Sequence, residues 1–221
     1  RCSRDWSSDV CSSDLVWAAF KDPNREDLSI FFDKFGIHEL TLEDINHGEQ
    51  LPKIEEYDDN LFIVMKQMDV TSGIDDVEIG DVYIIANPTY VLTIRKGYGK
   101  DFSFVRKIVE KNTKQLAHGA GFILYSVMDA VVDRYFPIIN SLEKEFEAFE
   151  QMVFEAQKSD GTDKVELMKK LYHFKSKTRI IKNNILPLTD SVHKLFGGRV
   201  PDVCEDLDNY FRDTHDHLTR I

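Results

Sequence analysis

The stretch MDAVVDRYFPIINSLEKEFEAFEQMV, residues 128–153, decides the fold of this 221-residue chain. Its apolar side chains recur at spacings that alternate between four and three residues, at Met128, Val132, Tyr135, Ile139, Leu142, Phe146, Phe149 and Val153. This heptad pattern predicts one long helix with a continuous apolar stripe. Because such a stripe is stable only when it is buried, the helix needs a partner along its length.

A second stripe of the same period follows a turn at residues 159–161 and covers residues 167–195. Two such stripes joined by a short turn predict two long helices that pack antiparallel with coiled-coil geometry. Pro137 and Pro187 fall within the two predicted helices. Each is predicted to bend its helix, because proline has no backbone N–H to donate to the preceding turn.

A third helix is predicted to begin near Asp202, where Asp202 and Glu205 have the spacing of a capping box. Apolar residues continue along one side of this helix, and charged and polar residues occupy the other side. The pattern stops at Ile221 without a terminating glycine or a polar tail. We therefore expect the chain of the intact protein to continue beyond Ile221.

The first half of the chain alternates short strands with short helices. The predicted strands cover 16–20, 61–70, 82–86 and 90–94. The predicted helices cover 28–35, a short segment from Thr41, and 101–117. The expected fold class is α+β or α/β: an N-terminal α/β layer with a mixed sheet and flanking helices, followed by long antiparallel helices and the start of a further long helix.

These patterns divide the chain into three segments. Residues 1–15 are rich in serine and aspartate, hold two of the three cysteines and have no structural period, so we interpret them as a tag or an assembly scar. An α/β domain is expected over 16–120. A stalk of long helices is expected over 121–221.

The composition excludes several functions. The formal net charge of −11 argues against binding to nucleic acid or to an anionic membrane surface, since both require a basic face. No stretch approaches the ~18–20 apolar residues of a membrane helix. The few cysteines include no CxxC pair, which indicates a reducing compartment rather than a disulfide framework. An acidic chain of this kind suits contact with cations.

The sequence contains no P-loop, GxGxxG, GxSxG or HExxH motif, so no enzymatic mechanism is indicated. Asp213 and His217 are four residues apart on one helical face and are able to bind a metal or to form a hydrated polar face. Asp44 follows Thr41 with capping spacing, and its simplest role is a helix cap. Asp129 lies beside the apolar stripe, where it is either hydrated or directed at another chain.

Three blocks of sequence resemble CorA-type magnesium transporters. The first is FGIHELTLEDINHGEQLPKIEEYDDNLFIVMKQM, residues 35–68. The second is ILYSVMDAVVDRYF, residues 123–136, and the third is NYFRDTHDHLTRI, residues 209–221. Their order and spacing agree with that family from about Val16 to Ile221.

The resemblance implies a homopentameric channel for Mg²⁺, with Co²⁺ as a second cargo, in the inner or plasma membrane. This chain would be its cytoplasmic part, and its third helix would begin the long helix that leads to the pore. Regulatory Mg²⁺ would bind between neighbouring copies. The metal ligands implied by the matching blocks are Glu43, Asp44, Asp129 and Asp213, with Asp216 and His217 as further candidates.

Three other interpretations remain open at this point. The chain could belong to a Zn²⁺-transporting relative of the same family, since the pore signature Gly-Met-Asn and the membrane segments are absent from it. It could be a soluble metal-dependent hydrolase using His215, Asp216 and His217. It could also be a helical scaffold that pairs through its heptad stripes and does not respond to divalent ions.

Overall fold

The computed structural model describes residues 15–48, 50–70, 77–156 and 164–221. Its centre is one mixed five-stranded sheet with the order β1-β5-β4-β3-β2. The strands are β1 (Val16–Lys21), β2 (Lys53–Tyr57), β3 (Asn60–Val70), β4 (Val77–Asn87) and β5 (Tyr90–Gly97). Only the β1–β5 pair is parallel, so the predicted mixed sheet is confirmed.

The predicted hairpin joins β4 to β5. The Asn87 side-chain oxygen accepts hydrogen bonds from the backbone N–H groups of Thr89 and Tyr90, which fixes the two-residue turn. β3 lies between β2 and β4 and is buried on both faces from Leu61 to Met68. A strand buried on both faces reads as an apolar run rather than as an alternating pattern, as the sequence does here.

Two helices cover one face of the sheet: α1 (Arg25–Phe35) and α2 (Glu39–His47). Leu28 of α1 and Ile45 of α2 pack there against Phe62 and Tyr83. α2 begins at Glu39, and the His38 ring accepts the capping hydrogen bond from the Leu40 N–H. The capping role predicted for Asp44 is therefore wrong, because α2 begins before Thr41 and Asp44 lies beyond its first turn.

Five further helices contribute to the hydrophobic cluster on the opposite face of the sheet from α1 and α2. They are α3 (Ser103–Lys111), α4 (Ala120–Val132), α5 (Tyr135–Ala156), α6 (Lys164–Val192) and α7 (Asp208–Thr219). α3 ends earlier than predicted and is followed by a 3₁₀ turn over Gln115–His118. The predicted turn at 159–161 lies outside the described residues. No helix in the described ranges is long and apolar enough to cross a membrane.

The first predicted long helix is in fact two helices, α4 and α5, separated at Asp133 and Arg134. Pro137 explains the break: it has no N–H to donate to the Asp133 carbonyl, and its ring would collide with that carbonyl in a continuous helix. Pro137 therefore lies in the first turn of α5, where no intrahelical donor is needed. α6, by contrast, continues through Pro187.

The third helix also begins later than predicted. Asp202–Cys204 form a 3₁₀ turn, and α7 starts only at Asp208. Between them, Asp206 has φ of 61°, a left-handed conformation that a right-handed helix does not contain. This irregular segment buries Val203, Cys204 and Leu207 against the rest of the core.

One hydrophobic cluster joins the sheet to the helices of the second half. It combines Ile63 and Met65 of β3 with Val127 and Val131 of α4 and with Leu188 of α6. Gly121 of α4 allows a close approach, since a β-carbon there would lie 2.1 Å from the Val203 carbonyl oxygen. α4 and α7 thus pack closely side by side, and α4 also packs against the sheet.

Candidate divalent-cation site

Four polar residues meet where α4 and α7 run side by side. Asp129 and Asp133 lie four residues apart at the end of α4, and Asp213 and His217 lie four residues apart on α7. His217 Nδ1 is 3.8 Å from Asp129 Oδ1, and His217 Nε2 is 3.8 Å from Asp213 Oδ1. We call Asp129, Asp133, Asp213 and His217 the α4–α7 cluster.

Two atoms of the cluster are shielded from solvent and lack a hydrogen-bond partner: Asp129 Oδ1 and His217 Nδ1. A buried polar atom without a partner costs free energy that a bound ligand is able to recover. The Phe136 ring packs edge-on against the His217 ring, with 5.7 Å between ring centroids, and limits the movement of the imidazole. The side chains of the cluster are therefore held in place, but two of their buried polar atoms lack a partner.

Burial and the charges of Asp133 and Asp213 raise the pKa of Asp129 and His217 lowers it, with a net value of about 6. Loss of hydration penalises a carboxylate, and so does a like charge nearby. A divalent cation reverses both effects, because it replaces the lost water and neutralises the neighbouring charges. A cation bound at this site would therefore favour the charged form of Asp129.

The geometry fits a divalent ion after a small contraction. Ligand atoms of Asp129, Asp133 and His217 all lie within 4.8 Å of one another. Donors on opposite sides of a Mg²⁺ ion are about 4.2 Å apart, with water filling the remaining positions. The two carboxylates suit Mg²⁺, and the imidazole also suits Co²⁺, Ni²⁺ or Zn²⁺.

The structure separates Asp216 from this cluster. Its side chain is exposed and lies beside His215, at 3.7 Å between Asp216 Oδ1 and His215 Nδ1. His215 in turn faces His193, with 4.1 Å between ring centroids. Since consecutive helical residues point in different directions, His215, Asp216 and His217 do not converge as the hydrolase interpretation requires.

Sequence reasoning missed Asp133. The signal was present, because Asp133 follows Asp129 by one helical turn within the second family block. The broken helix then places Asp133 at the end of α4, where its backbone N–H bonds to the Asp129 carbonyl oxygen at 2.8 Å. A continuous helix through residue 133 would not have left its carboxylate at a helix end.

Glu43 and Asp44 lie elsewhere, on α2, which packs on the opposite face of the sheet from α4. Asp44 Oδ2 accepts a 2.7 Å hydrogen bond from Lys53 Nζ, and Lys53 also contacts Glu55 at 2.6 Å. Burial alone would lower the pKa of Lys53, but its bonds to Asp44 and Glu55 raise it. Asp44 therefore already has a cationic partner within its own copy.

The raised pKa predicts how stability depends on pH. Asp129 has a pKa of about 6 in the folded chain, against 3.8 for an unperturbed aspartate side chain. The folded state holds this proton more tightly, so the favourable contribution present at low pH is lost as pH rises through about 6. Asp129→Asn removes the ionisation. Without divalent cations, we expect it to raise the free energy of unfolding by about 1–2 kcal/mol near pH 8, after allowance for solvent screening.

Urea denaturation of both proteins in a chelating buffer measures this effect. The difference between Asp129→Asn and the unmodified protein should shrink to nearly zero below about pH 4, where both side chains are uncharged. Asp216→Asn, on an exposed neighbouring position, is the control and should show no such pH dependence. A difference that stays constant from acid to alkaline pH would contradict the prediction.

Comparison of the sequence with known families identifies a class of divalent-cation transporters. The sequence model of the CorA-like Mg²⁺ transporter protein family matches residues 12–221. The chain belongs to the CorA-like Mg²⁺ transporter family. Because this family consists of ion transporters, the chain is not an enzyme, and the hydrolase interpretation is wrong.

Sequence similarity to individual proteins agrees with the family assignment. The chain is 29% identical over 188 residues to the cobalt/magnesium transport protein CorA of Thermotoga maritima, a match covering 85% of this chain and 52% of that protein. The chain thus spans about half the length of this curated relative.

Two solved structures share the fold. The soluble domain of CorA from Methanocaldococcus jannaschii has a TM-score of 0.62 at 21% identity, covering 93% of this chain and 82% of that one. The ZntB cytoplasmic domain from Vibrio parahaemolyticus has a TM-score of 0.61 at 15% identity, covering 92% and 78%. At such low identity the likeness concerns the fold alone. It confirms the expected fold class of a sheet layer followed by long helices.

Proposed function

We propose that this chain is the cytoplasmic Mg²⁺-sensing portion of a homopentameric channel that carries Mg²⁺, with Co²⁺ as a second cargo. The intact protein would lie in the inner or plasma membrane, with this chain on the cytoplasmic side. The observation that carries the proposal is the α4–α7 cluster, whose shielded Asp129 and His217 atoms have no partner within the described residues. The family assignment supplies the context of cation transport.

The regulatory ions are proposed to bind between copies. Glu43 and Asp44 lie on the opposite face of the sheet from Asp129 and Asp213, so one copy does not bring them to a common ion. In a ring, the α2 face of one copy meets the α4–α7 cluster of the next. Mg²⁺ is suited to such a bridge, because it keeps several waters and needs only one or two carboxylates from each side.

The ions would act by changing the balance between two arrangements of the ring. Each copy has a formal net charge of −11, so apposed acidic faces repel one another. Bound Mg²⁺ removes the repulsion and favours a symmetric closed ring. When Mg²⁺ falls, the sites empty, the interfaces loosen, and the helix that follows α7 passes the change to the pore. This is a population shift driven by differential binding.

The Lys53–Asp44 ion pair would set the affinity of Asp44 for Mg²⁺. A cation that binds Asp44 must displace the Lys53 ammonium, which is held by Asp44 and Glu55 together. Competition of this kind weakens the site, and a sensor requires weak sites so that they empty within the cellular range. Lys53→Met should therefore lower the Mg²⁺ concentration needed for association.

A Zn²⁺-transporting relative is the second candidate, favoured by one observation. His217 contributes an imidazole to the cluster, and imidazole is a better ligand for Zn²⁺ than for Mg²⁺. Stabilisation by micromolar Zn²⁺ in the absence of any response to Mg²⁺ would favour this alternative. A helical scaffold would respond to neither ion.

Thermal unfolding and analytical ultracentrifugation across a Mg²⁺ titration test the proposal. At about a hundredfold excess over Kd, binding adds about 2.7 kcal/mol, which for a chain of this size raises Tm by about 5–10 °C. We expect the unmodified protein to gain stability and mass, and Asp44→Asn and Asp213→Asn to lose most of both gains. Asp216→Asn is the matched control and should behave as the unmodified protein.

The outcomes are distinct. A Mg²⁺ response that survives in both Asp44→Asn and Asp213→Asn would place the ion elsewhere and remove the proposed sites. No response of mass or Tm to any divalent ion would remove the sensing role. If the response is unchanged in Lys53→Met, the sensing role stands and only the competition by Lys53 is rejected.

A further inference from the structure

A second group of buried polar atoms lacks partners, and it is not part of the α4–α7 cluster. Among the described residues, the remaining shielded atoms without a hydrogen-bond partner are Gln67 Oε1 and Nε2, Arg95 Nε and Arg134 Nη1. Gln67 is only 2% exposed. Most buried polar atoms in proteins have a partner, so four in one neighbourhood require an explanation.

The sheet brings these residues together on its α4 side. Gln67 of β3 is opposite Gly80 of β4, which is opposite Gly97 of β5, and Arg95 lies two residues before Gly97. Gly80 has no side chain, and the chain after β5 folds back over it: a β-carbon at Gly80 would lie 1.5 Å from the Tyr98 carbonyl oxygen. A β-carbon at Gly99 would lie 2.1 Å from Gln67 Oε1, so this returning segment packs against the Gln67 amide.

Both guanidinium groups lie over the same aromatic ring. The centre of the Arg95 guanidinium is 5.7 Å from the centroid of the Phe102 ring, and that of Arg134 is 5.9 Å from it. Arg134 reaches this point from the break between α4 and α5. Two like charges thus share one ring in a chain that is acidic overall.

The contacts that hold the two arginines are weak. Arg95 Nη1 donates to the Gly99 carbonyl oxygen at 3.4 Å, and Arg134 Nη2 donates to the Asp101 carbonyl oxygen at 3.5 Å. These distances are beyond the usual range for such bonds. Within the described ranges, neither arginine forms an ion pair with a carboxylate.

The nearby carboxylates are engaged by other groups. Asp69 contacts Lys100 Nζ at 3.0 Å and accepts a hydrogen bond from the Tyr98 hydroxyl at 3.0 Å. Asp101 accepts from the backbone N–H and the hydroxyl of Ser103. Burial lowers the pKa of Arg134, with Asp69 opposing and Arg95 reinforcing this effect. The local charge is therefore incompletely balanced.

We propose that Arg95, Arg134 and Gln67 form a binding site for a small oxyanion of the phosphate class. A guanidinium presents a planar set of donors that matches two oxygens of a phosphate. Two guanidinium groups over one ring are able to donate hydrogen bonds to the same phosphate from two sides. The Gln67 amide N–H supplies a neutral donor beneath them. The ion takes the place of the Gly99 and Asp101 carbonyl groups, which release long, weak bonds as it enters.

Thermal unfolding in a chelating buffer tests the site without any divalent cation, so its result is independent of the proposed Mg²⁺ sensing. Inorganic phosphate is titrated against acetate and chloride at matched ionic strength. We expect a saturable rise in Tm with phosphate, far smaller with acetate and chloride. Line broadening of the phosphate phosphorus NMR signal by the unmodified protein gives a second readout that does not rely on stability.

Variants separate recognition from general charge. Arg95→Lys and Arg134→Lys keep the charge but lose the planar fork, and each should weaken phosphate binding about tenfold. Gln67→Met should raise the phosphate-free Tm, since it removes a buried amide without partners, and should still weaken binding. Lys107→Gln removes an exposed cation on α3 that takes no part in the Lys100–Asp69 ion pair, and it should leave phosphate binding unchanged.

Two results would overturn the proposal. Equal effects of phosphate, acetate and chloride would show screening of the net charge and no site. Phosphate binding that is unchanged in both lysine variants would place the anion away from these arginines. A lysine variant that fails to fold leaves the other one, together with Gln67→Met and the NMR readout, to decide.

Discussion

Replacing Gly121 by alanine is expected to lower the free energy of unfolding by about 2–4 kcal/mol, although alanine normally stabilises a helix relative to glycine. The added β-carbon would lie 2.1 Å from the Val203 carbonyl oxygen and 2.4 Å from Leu207 Cδ1. A backbone carbonyl does not move aside as a flexible side chain does. The 3₁₀ turn at Asp202–Cys204 must shift, and α7 shifts with it.

Urea denaturation compares Gly121→Ala with Ser126→Ala, a substitution on the same helix at a half-buried position. The Ser126 hydroxyl donates to the Phe122 carbonyl oxygen one turn earlier, and its replacement should change stability by less than about 0.5 kcal/mol. Displacement of α7 should also weaken any divalent-cation response, because Asp213 and His217 move away from Asp129. A loss below about 1 kcal/mol for Gly121→Ala would contradict the close approach.

Replacing Tyr135 by alanine should cost about 3–5 kcal/mol, the effect expected for a large aromatic side chain removed from a core. Tyr135 is fully buried at the start of α5, and its hydroxyl donates to the Lys66 carbonyl oxygen on β3. The side chain therefore fastens the α4–α5 break to the sheet. Unfolding by urea, followed by circular dichroism, measures the loss.

Tyr135→Phe separates packing from hydrogen bonding in the same position. It keeps the ring but leaves the Lys66 carbonyl without this donor, so a loss of about 1–2 kcal/mol is expected. If both variants lose the same amount, the hydroxyl rather than the ring holds α5 in place, and the packing argument fails.

Local patterns in the sequence predicted the elements of the fold better than their joints. The heptad stripes predicted the paired long helices, and the apolar run over residues 61–65 predicted a buried strand. The stripe did not reveal the break at Asp133, because apolar spacing is preserved across it. Pro137 marked a bend but not a break, since a proline within a helix is also compatible with continuation, as at Pro187 in α6.

The parallel pairing of β1 with β5 was beyond sequence reasoning for a different reason. The two strands are separated by more than sixty residues in the chain, and their register depends on the whole sheet. The same non-local packing determines that α2 and α4 lie on opposite faces. Which acids meet within a copy follows from that arrangement.

The candidate site was predicted in part. Asp129, Asp213 and His217 were expected as ligands, and they meet in the structure; their role in binding Mg²⁺ stays a prediction. Asp216 does not join them. Lys53 was not foreseen as the partner of Asp44, because the sequence separation of the two residues gives no sign that a strand returns beneath α2.

The break between α4 and α5 has a consequence for how separate ligands influence each other. Asp133 and Arg134 are adjacent in the chain, yet one faces the acidic cluster and the other faces the phosphate-class site. A cation and an anion would then bind to neighbouring residues of the same backbone segment, the α4–α5 break. If bound cation changes the affinity of the chain for the anion, thermodynamic linkage requires bound anion to change the affinity for the cation by the same factor.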